Sequence, residues 1–302
     1  VLLYAMLASI NIESNLALVN SIYKVNPEIP SLDQFNHVIN YIPSINTFLD
    51  TTDKGISLNS IVPAGLGNKH SLLINKKNPA MLKIPDYNKN NSILKTEKNI
   101  HIKTRYLAQV NETVTLKGYT ASFMRNHIKT IEKSGHIEWG QQLINSYLPG
   151  AQLNKIDIKN SHNTRKPLIM KLNYDVTNHS NIIDNKLIAH FPVAWERYYL
   201  STSPVYERKT DFKIYYPFKL ISKNSLTFDK KFKLNSTENI NESGKSIFSD
   251  WKLSINHKAN RIDEQFIFNL KTGKYDKEQY SDFFEESCNI LNKLTNNIYY
   301  SE

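Results

Sequence analysis

Between Phe35 and Thr52 apolar and polar residues follow the short period of half-buried strands, interrupted once at Pro43-Ser44. The pattern predicts two short strands around that turn. A two-residue turn makes Ile42 face Ile45, Tyr41 face Asn46 and His37 face Asp50. Directly opposed residues share one face of an antiparallel pair, with Cβ atoms roughly 4.5–5.5 Å apart. An imidazole and a carboxylate are thereby expected within hydrogen-bonding reach.

Upstream, Val1 to about Ile10 is apolar almost all round, as a buried helix would be, and Ser14 to Ser21 reads as a strand. Pro27 and Pro30 make Val25 to Asp33 a loop. After the hairpin comes a mixed segment, Leu58 to Ile74. It holds a flexible bend at Pro63-Ala64-Gly65-Leu66-Gly67 and an edge or closing strand at Ser71 to Ile74. The polar stretch Lys76 to Asn91, with Pro79 and Pro85, is the candidate domain boundary. Beyond it, strands are predicted at Asn99 to Tyr106, Glu112 to Tyr119, Leu153 to Ile158, Leu168 to Val176, Lys186 to Phe191 and Asp211 to Ile221. Lys252 to His257 and Asp263 to Leu270 read as a hairpin. Helices are predicted at Ala121 to Glu132, at Ile137 to Leu148 (stopped by Pro149-Gly150) and at Asp276 to Asn296. In the last, Tyr280, Phe283, Phe284, Cys288, Leu291 and Leu294 fall near one face.

Composition narrows the classes. A 302-residue chain that is 40% hydrophobic and 22% charged has the balance of a folded protein. No run approaches the ~18 apolar residues of a membrane-spanning helix. The first ten residues have no basic flank, so a buried helix fits them better than a signal-peptide core. That helix starts without an initiating Met, and the sequence is expected to be an N-terminally truncated fragment. Net charge is +10, but the lysines are scattered, with only doublets at Lys76-Lys77 and Lys230-Lys231. This reads as a solvated basic surface without a specific nucleic-acid partner. A single cysteine, Cys288, excludes intrachain disulfides and Cys-rich metal sites. No His-x-x-x-His or Glu-x-x-His pairing marks a helix, and Gly65-Leu66-Gly67 lacks the Lys-Ser/Thr of a phosphate loop, so no cofactor or metal is expected. Trp139, Trp195, Trp251, Tyr198-Tyr199 and Tyr215-Tyr216 are expected to pack in cores or across strands, with a glycan groove as the alternative.

The candidate chemistry therefore rests on His37 and Asp50. Phe35, Val38, Phe48 and Leu49 around them imply buried strands, and a buried carboxylate requires a partner. A His held by an Asp is the orienting part of a nucleophile–His–Asp triad; the competing reading is an ordinary polar pair. Cys288, on the apolar side of its predicted helix, reads as an inert core thiol.

These residues carry a resemblance. Phe35-Asn36-His37-Val38, then Phe48-Leu49-Asp50-Thr51-Thr52, then Ile61-Val62-Pro63-Ala64 to Leu72-Leu73-Ile74, resemble the bacterial transglutaminase-like proteins. In that superfamily a His strand and a Leu-Asp-Pro-Thr-like strand end precede a closing stretch, and Val1 to Leu7 resembles the helix after the catalytic Cys. The resemblance implies a papain-like Cys-His-Asp triad with His37 and Asp50 as catalytic residues. It also implies a peptide or protein substrate and, from the frequency of export in the family, the periplasm or cell envelope. Tyr216-Pro217-Phe218, and the closing Tyr275 to Leu294 stretch with its Asp-Lys-Glu-Gln-Tyr opening, resemble the β-rich domain of unknown function that follows the core in one branch. Two departures stand out: no Cys precedes His37, and Leu-Asp-Thr-Thr replaces Leu-Asp-Pro-Thr.

The expected architecture is α+β. Residues 1–90 would form the C-terminal half of a papain-like transglutaminase core. Residues 95–302 would form a mostly β, sandwich-like accessory domain with a closing helix. The expected parent is a cysteine acyltransferase or peptidase acting on amides, this chain being inert without its nucleophile. The alternative is a non-catalytic protein- or glycan-binding scaffold that keeps a degenerate version of the fold.

Overall fold

The computed structural model describes residues 1–52, 62–63, 65–75, 79–87, 92–177, 179–183, 186–200, 208–215, 217–235, 238–295 and 298–301. In chain order the first elements are α1 (Leu2–Ser9), β1 (Asn15–Val19), β2 (His37–Ile42), β3 (Thr47–Leu49), β4 (His70–Ile74) and β5 (Ala80–Lys83). Next come β6 (Ile93–Thr104), β7 (Leu107–Lys117), α2 (Tyr119–Ile128), α3 (His136–Asn145), β8 (Ala151–Lys159) and β9 (Leu168–Thr177). They are followed by β10 (Ser180–Ile183), β11 (Lys186–Ala189), α4 (Trp195–Leu200), β12 (Phe212–Ile214), β13 (Phe218–Phe228) and β14 (Lys233–Leu234). The last are β15 (Ile240–Lys245), β16 (Ser249–Lys258), β17 (Arg261–Leu270), β18 (Gly273–Tyr275), α5 (Tyr280–Leu294) and β19 (Ile298–Ser301). The architecture is mixed α/β and mostly β.

Strands β1 to β5 form a five-stranded antiparallel sheet in the order β3-β2-β1-β4-β5. Its inner face joins Ala17, Val19, Ile39, Phe48 and Leu73 to Val62, Leu66 and Ile84 in one small core. Gly65, at φ +78, and Gly67 carry the chain close beneath this face. An added Cβ on Gly67 would meet the Tyr87 ring at 2.4 Å, so the bend works because a hydrogen stands there.

Four expectations are corrected here. The α1 helix forms, but none of its residues is buried: Val1, Leu2, Tyr4 and Met6 stand open to solvent, because no described element covers them. Ser71 to Ile74 is no edge, since β5 pairs outside it; residues 76–78 and 88–91 of the polar stretch around β5 lie outside the described residues. Ala108 to Asn111, left between the strands expected at Asn99 to Tyr106 and Glu112 to Tyr119, do not separate two strands. The turn is Arg105-Tyr106, and β7 runs unbroken from Leu107. Finally, the hairpin loop holds four residues, not two.

The second sheet has eight strands in the order β15-β16-β17-β13-β6-β7-β9-β8, antiparallel except where β13 runs parallel to β6. The long strands alternate buried and partly exposed positions, as a sheet covered on one side requires. Over the buried face lie α2, α3, α4 and α5 together with the small sheet β10-β11-β19-β14. The cover is thus mixed rather than a plain sandwich partner. The α5 helix is introduced by a capping box, in which Asp276 and Gln279 satisfy each other's backbone amides. It buries Ser287, Ile290 and Leu294, while Tyr280, Phe283 and Cys288 lie half-exposed beside that line.

The buried face is not wholly apolar. Register places Glu264 opposite Asn224, Asn224 opposite Lys98, and Lys98 opposite Glu112, a polar row running across four strands. Asn224 donates to Glu264 at 2.6 Å, and Tyr174 and Trp195 each donate to Glu112 at 3.0 Å. Lys98 reaches the Pro192 carbonyl at 2.9 Å and lies 3.7 Å from Glu196 on α4.

Candidate functional site

The pairing of β2 with β3 sets Asn40 opposite Leu49, Tyr41 opposite Phe48 and Ile42 opposite Thr47. Residues Pro43 to Asn46 form the connection, a 3-10 turn closed by Asn46 in the left-handed region at φ 46, a conformation asparagine tolerates. Relative to a two-residue turn, the register has moved by two. A shift of one would have turned Asp50 to the other face, whereas a shift of two preserves the face. His37 and Asp50 are therefore diagonal neighbours rather than directly opposed, and diagonal neighbours remain within reach of long side chains.

The side chains meet. His37 Nε2 lies 2.8 Å from Asp50 Oδ2, and both residues are largely withdrawn from solvent (25% and 16% exposed). Since a carboxylate only accepts, Nε2 carries the hydrogen and donates it. The second carboxylate oxygen, Oδ1, accepts from the Thr52 amide at 3.0 Å and from its hydroxyl at 2.7 Å. Burial works to raise the Asp50 carboxyl. The bonds from the Thr52 hydroxyl and amide and from His37 outweigh it and hold the group below its ordinary value. Asp50 is thus an ionised, doubly anchored carboxylate, and Nδ1 is the imidazole nitrogen left to take up a proton.

The approach to His37 is fastened on the other side as well. Asn20 Oδ1 accepts from the amides of Ile22 and Tyr23, and its Nδ2 donates to the Gln34 carbonyl at 2.7 Å. Asn36 Oδ1 accepts from the Ser21 amide at 2.8 Å. Buried Lys69 donates to the carbonyls of Asn20 and Ser21, both at 2.8 Å. Its burial, reinforced by Lys213, brings the amine down to about 8. Of these groups Thr52 was legible, because Asp-x-Thr is a side-chain-to-backbone turn pattern. Lys69 carries no such signal.

Cys288 does not join this pair. It lies on α5, whose Ile290 and Leu294 belong to the core of the eight-stranded sheet. Among the described residues, no three His, Cys, Asp or Glu side chains converge as metal ligands, and no helix is long and apolar enough to cross a membrane. The tryptophans are dispersed: Trp195 is buried on Glu112, Trp139 packs against the large core, and Trp251 lies across β15 on Gly244. Tyr199 stacks on Phe218 at 4.3 Å. Ile61, Ala64 and Tyr216, which carry part of the family resemblance, lie outside the described residues.

No family model matches the chain, and no curated protein matches it. A solved structure from Parabacteroides distasonis ATCC 8503, described as a "putative protease", is similar with a TM-score of 0.54 at 12% identity. The match covers 100% of this chain and 42% of that one, so the chain spans less than half the length of this neighbour. At that identity the likeness is one of fold.

Proposed function

We propose that this chain carries the imidazole–carboxylate part of a papain-like cysteine acyl-transfer centre, in a transglutaminase-like protein acting on peptide or protein amides. The observation that carries the reading is the 2.8 Å contact between His37 and an Asp50 carboxylate anchored by Thr52. The likeness in fold to a protein described as a protease supports it. In this reading residues 1–90 are the catalytic unit and residues 95–302 an accessory one.

The chemistry follows from the pair. With Nε2–H bound to Asp50, the lone pair on Nδ1 accepts the proton of a thiol, and the ionised carboxylate stabilises the imidazolium that results. The thiolate attacks the amide carbonyl, the imidazolium returns its proton to the leaving amine, and water or a second amine then takes the acyl group. The thiol is contributed by polypeptide outside these 302 residues, since Cys288 is committed to α5.

The test is hydrolysis and amine transfer on a quenched peptide amide by the protein expressed from its whole reading frame, with iodoacetamide as the thiol probe. His37→Ala should lower kcat/KM by about three orders of magnitude or more and slow alkylation of a single thiol. Activity that survives both His37→Ala and alkylation would sink the proposal, and a whole protein with no reactive thiol would favour the scaffold reading.

A further inference from the structure

The polar row of the large sheet has two apolar rows beside it on the same buried face. Register aligns Leu226, Ile100 and Val110 in the first, and Ile102, Ala108 and Val176 in the second. In most of the molecule the covering elements pack down onto such rows. Over these two they do not. A cleft of about 390 Å³ remains between the rows and a roof made by Tyr147-Leu148-Pro149 and the segment Ala189 to Val193. Small residues on both sides, Ala108 below and Ala189 above, help to keep it open.

Protein interiors fill space nearly as densely as organic crystals, and an apolar gap of this size costs the fold its lost contacts. Its volume lies in the range of small-molecule sites, typically about 300–1,000 Å³, and its lining has their character, apolar with few polar groups. The cleft opens to solvent, where Arg197 and His190 are exposed lining residues. Arg197 makes no ion pair among the described residues, and the lining contains no carboxylate. His179, also in the lining, donates Nε2–H to the Thr104 carbonyl at 2.9 Å, and burial keeps its ring toward the neutral form. The guanidinium is thus the one permanent charge in a lining that is otherwise apolar residues with the hydroxyls of Tyr147, Thr177 and Thr295 and the two imidazoles.

We propose that this cleft binds a single anion-headed acyl chain, its carboxylate or phosphate on Arg197 and its unbranched tail along the rows of Ile100 and Ala108. Arg197 suits such a head because its fork of donors pairs with either group in two bonds. The site is separate from His37 and Asp50, and the inference stands whether or not those residues are catalytic.

Isothermal titration of the purified chain with dodecanoate, below its micelle concentration, tests the assignment. One saturable site per chain is expected. Decanoate should bind about tenfold more weakly, following the loss of two buried methylenes. Dodecyltrimethylammonium, with the same tail and the opposite charge, should bind about tenfold more weakly or worse. Arg197→Glu, at an exposed position and therefore safe for folding, should invert that headgroup preference. Ala108→Phe, which fills the floor, should abolish binding of both. If Ala108→Phe gives no cooperative thermal transition, Arg197→Glu decides alone. Absence of saturable dodecanoate binding overturns the proposal, as does a headgroup preference unchanged by Arg197→Glu. Dodecanoate binding that persists in a folded Ala108→Phe variant overturns it too, and would mean adsorption elsewhere, as on the uncovered α1.

Discussion

At the scale of single residues, Asp50 is the informative group, because its two oxygens do different work. One orients His37 and the other is committed to Thr52. Its carboxyl is held below the ordinary value, so the folded chain releases this proton at a lower pH than the unfolded chain does. Between the folded value and about 3.9, the ordinary value of an unfolded aspartate, the unfolded state holds the extra proton. The contribution of Asp50 to stability is therefore complete above that window and is lost as pH falls through it. Asp50→Asn should flatten the acid limb of the stability curve while leaving the neutral region less affected, as read from urea midpoints between pH 3 and 7. An acid limb of unchanged slope would mean that the hydrogen bonds to Asp50 do not favour its charged form.

At the scale of elements, the hairpin shows what alternation alone conveys. The apolar positions of β2 and β3 told which face is buried, and face was enough to bring His37 and Asp50 together. They did not tell the loop length. Pro43-Ser44 looks like a complete turn in sequence, whereas the loop runs two residues further, through Asn46, using a left-handed conformation that the pattern of side chains does not record. The same limit explains β5, β15 and the start of β6. In β15 and the start of β6, Lys, Asn and Glu mask the alternation, and β5 is only 4 residues long after Pro79; each is held as a strand by pairing with its neighbouring hairpin strand rather than by local preference. The α1 helix is the converse case, where apolar composition indicated burial but burial needs a partner element. The Gly65–Gly67 bend was readable because glycine permits close approach, and it invites a direct check. Gly67→Ala forces a methyl against the Tyr87 ring, which covers the first core, and should cost about 1–3 kcal/mol in denaturant unfolding. A neutral effect would show that Tyr87 moves aside freely.

At the scale of the whole molecule, the row Glu264-Asn224-Lys98-Glu112 ties the two halves of the large sheet together with groups that are costly to bury. Burial lifts Glu264 to about 8, opposed by the Asn224 hydrogen bond and by Lys98 and assisted by Glu196. Glu112 is shifted upward for the same first reason. From about 4.3, where an unfolded glutamate titrates, up to about 8, the folded chain keeps a proton that the unfolded chain has released. Stability should therefore fall as pH rises through that window and level off above it. Glu264→Gln, which keeps the shape and removes the titration, should narrow the stability difference between pH 5 and pH 8. Equal pH dependence in the two proteins would show that Glu264 is ionised inside the fold.

The parallel seam between β6 and β13 has a consequence for how the chain is made. Thr96 and Ser222, hydrogen-bonded across that seam, are separated by 126 residues. Translation at about 5–20 residues per second leaves roughly 6–25 s between the emergence of one strand and that of its partner. During that interval β6 through β9 can pair among themselves, but β6 presents an open edge, and Lys98 and Glu112 face an unfinished row. Exposed edges of this kind recruit other chains. Expression yield should thus depend on what shields this nascent half-sheet on the ribosome more than on the stability of the finished fold, and chains truncated before Phe218 should accumulate as aggregate.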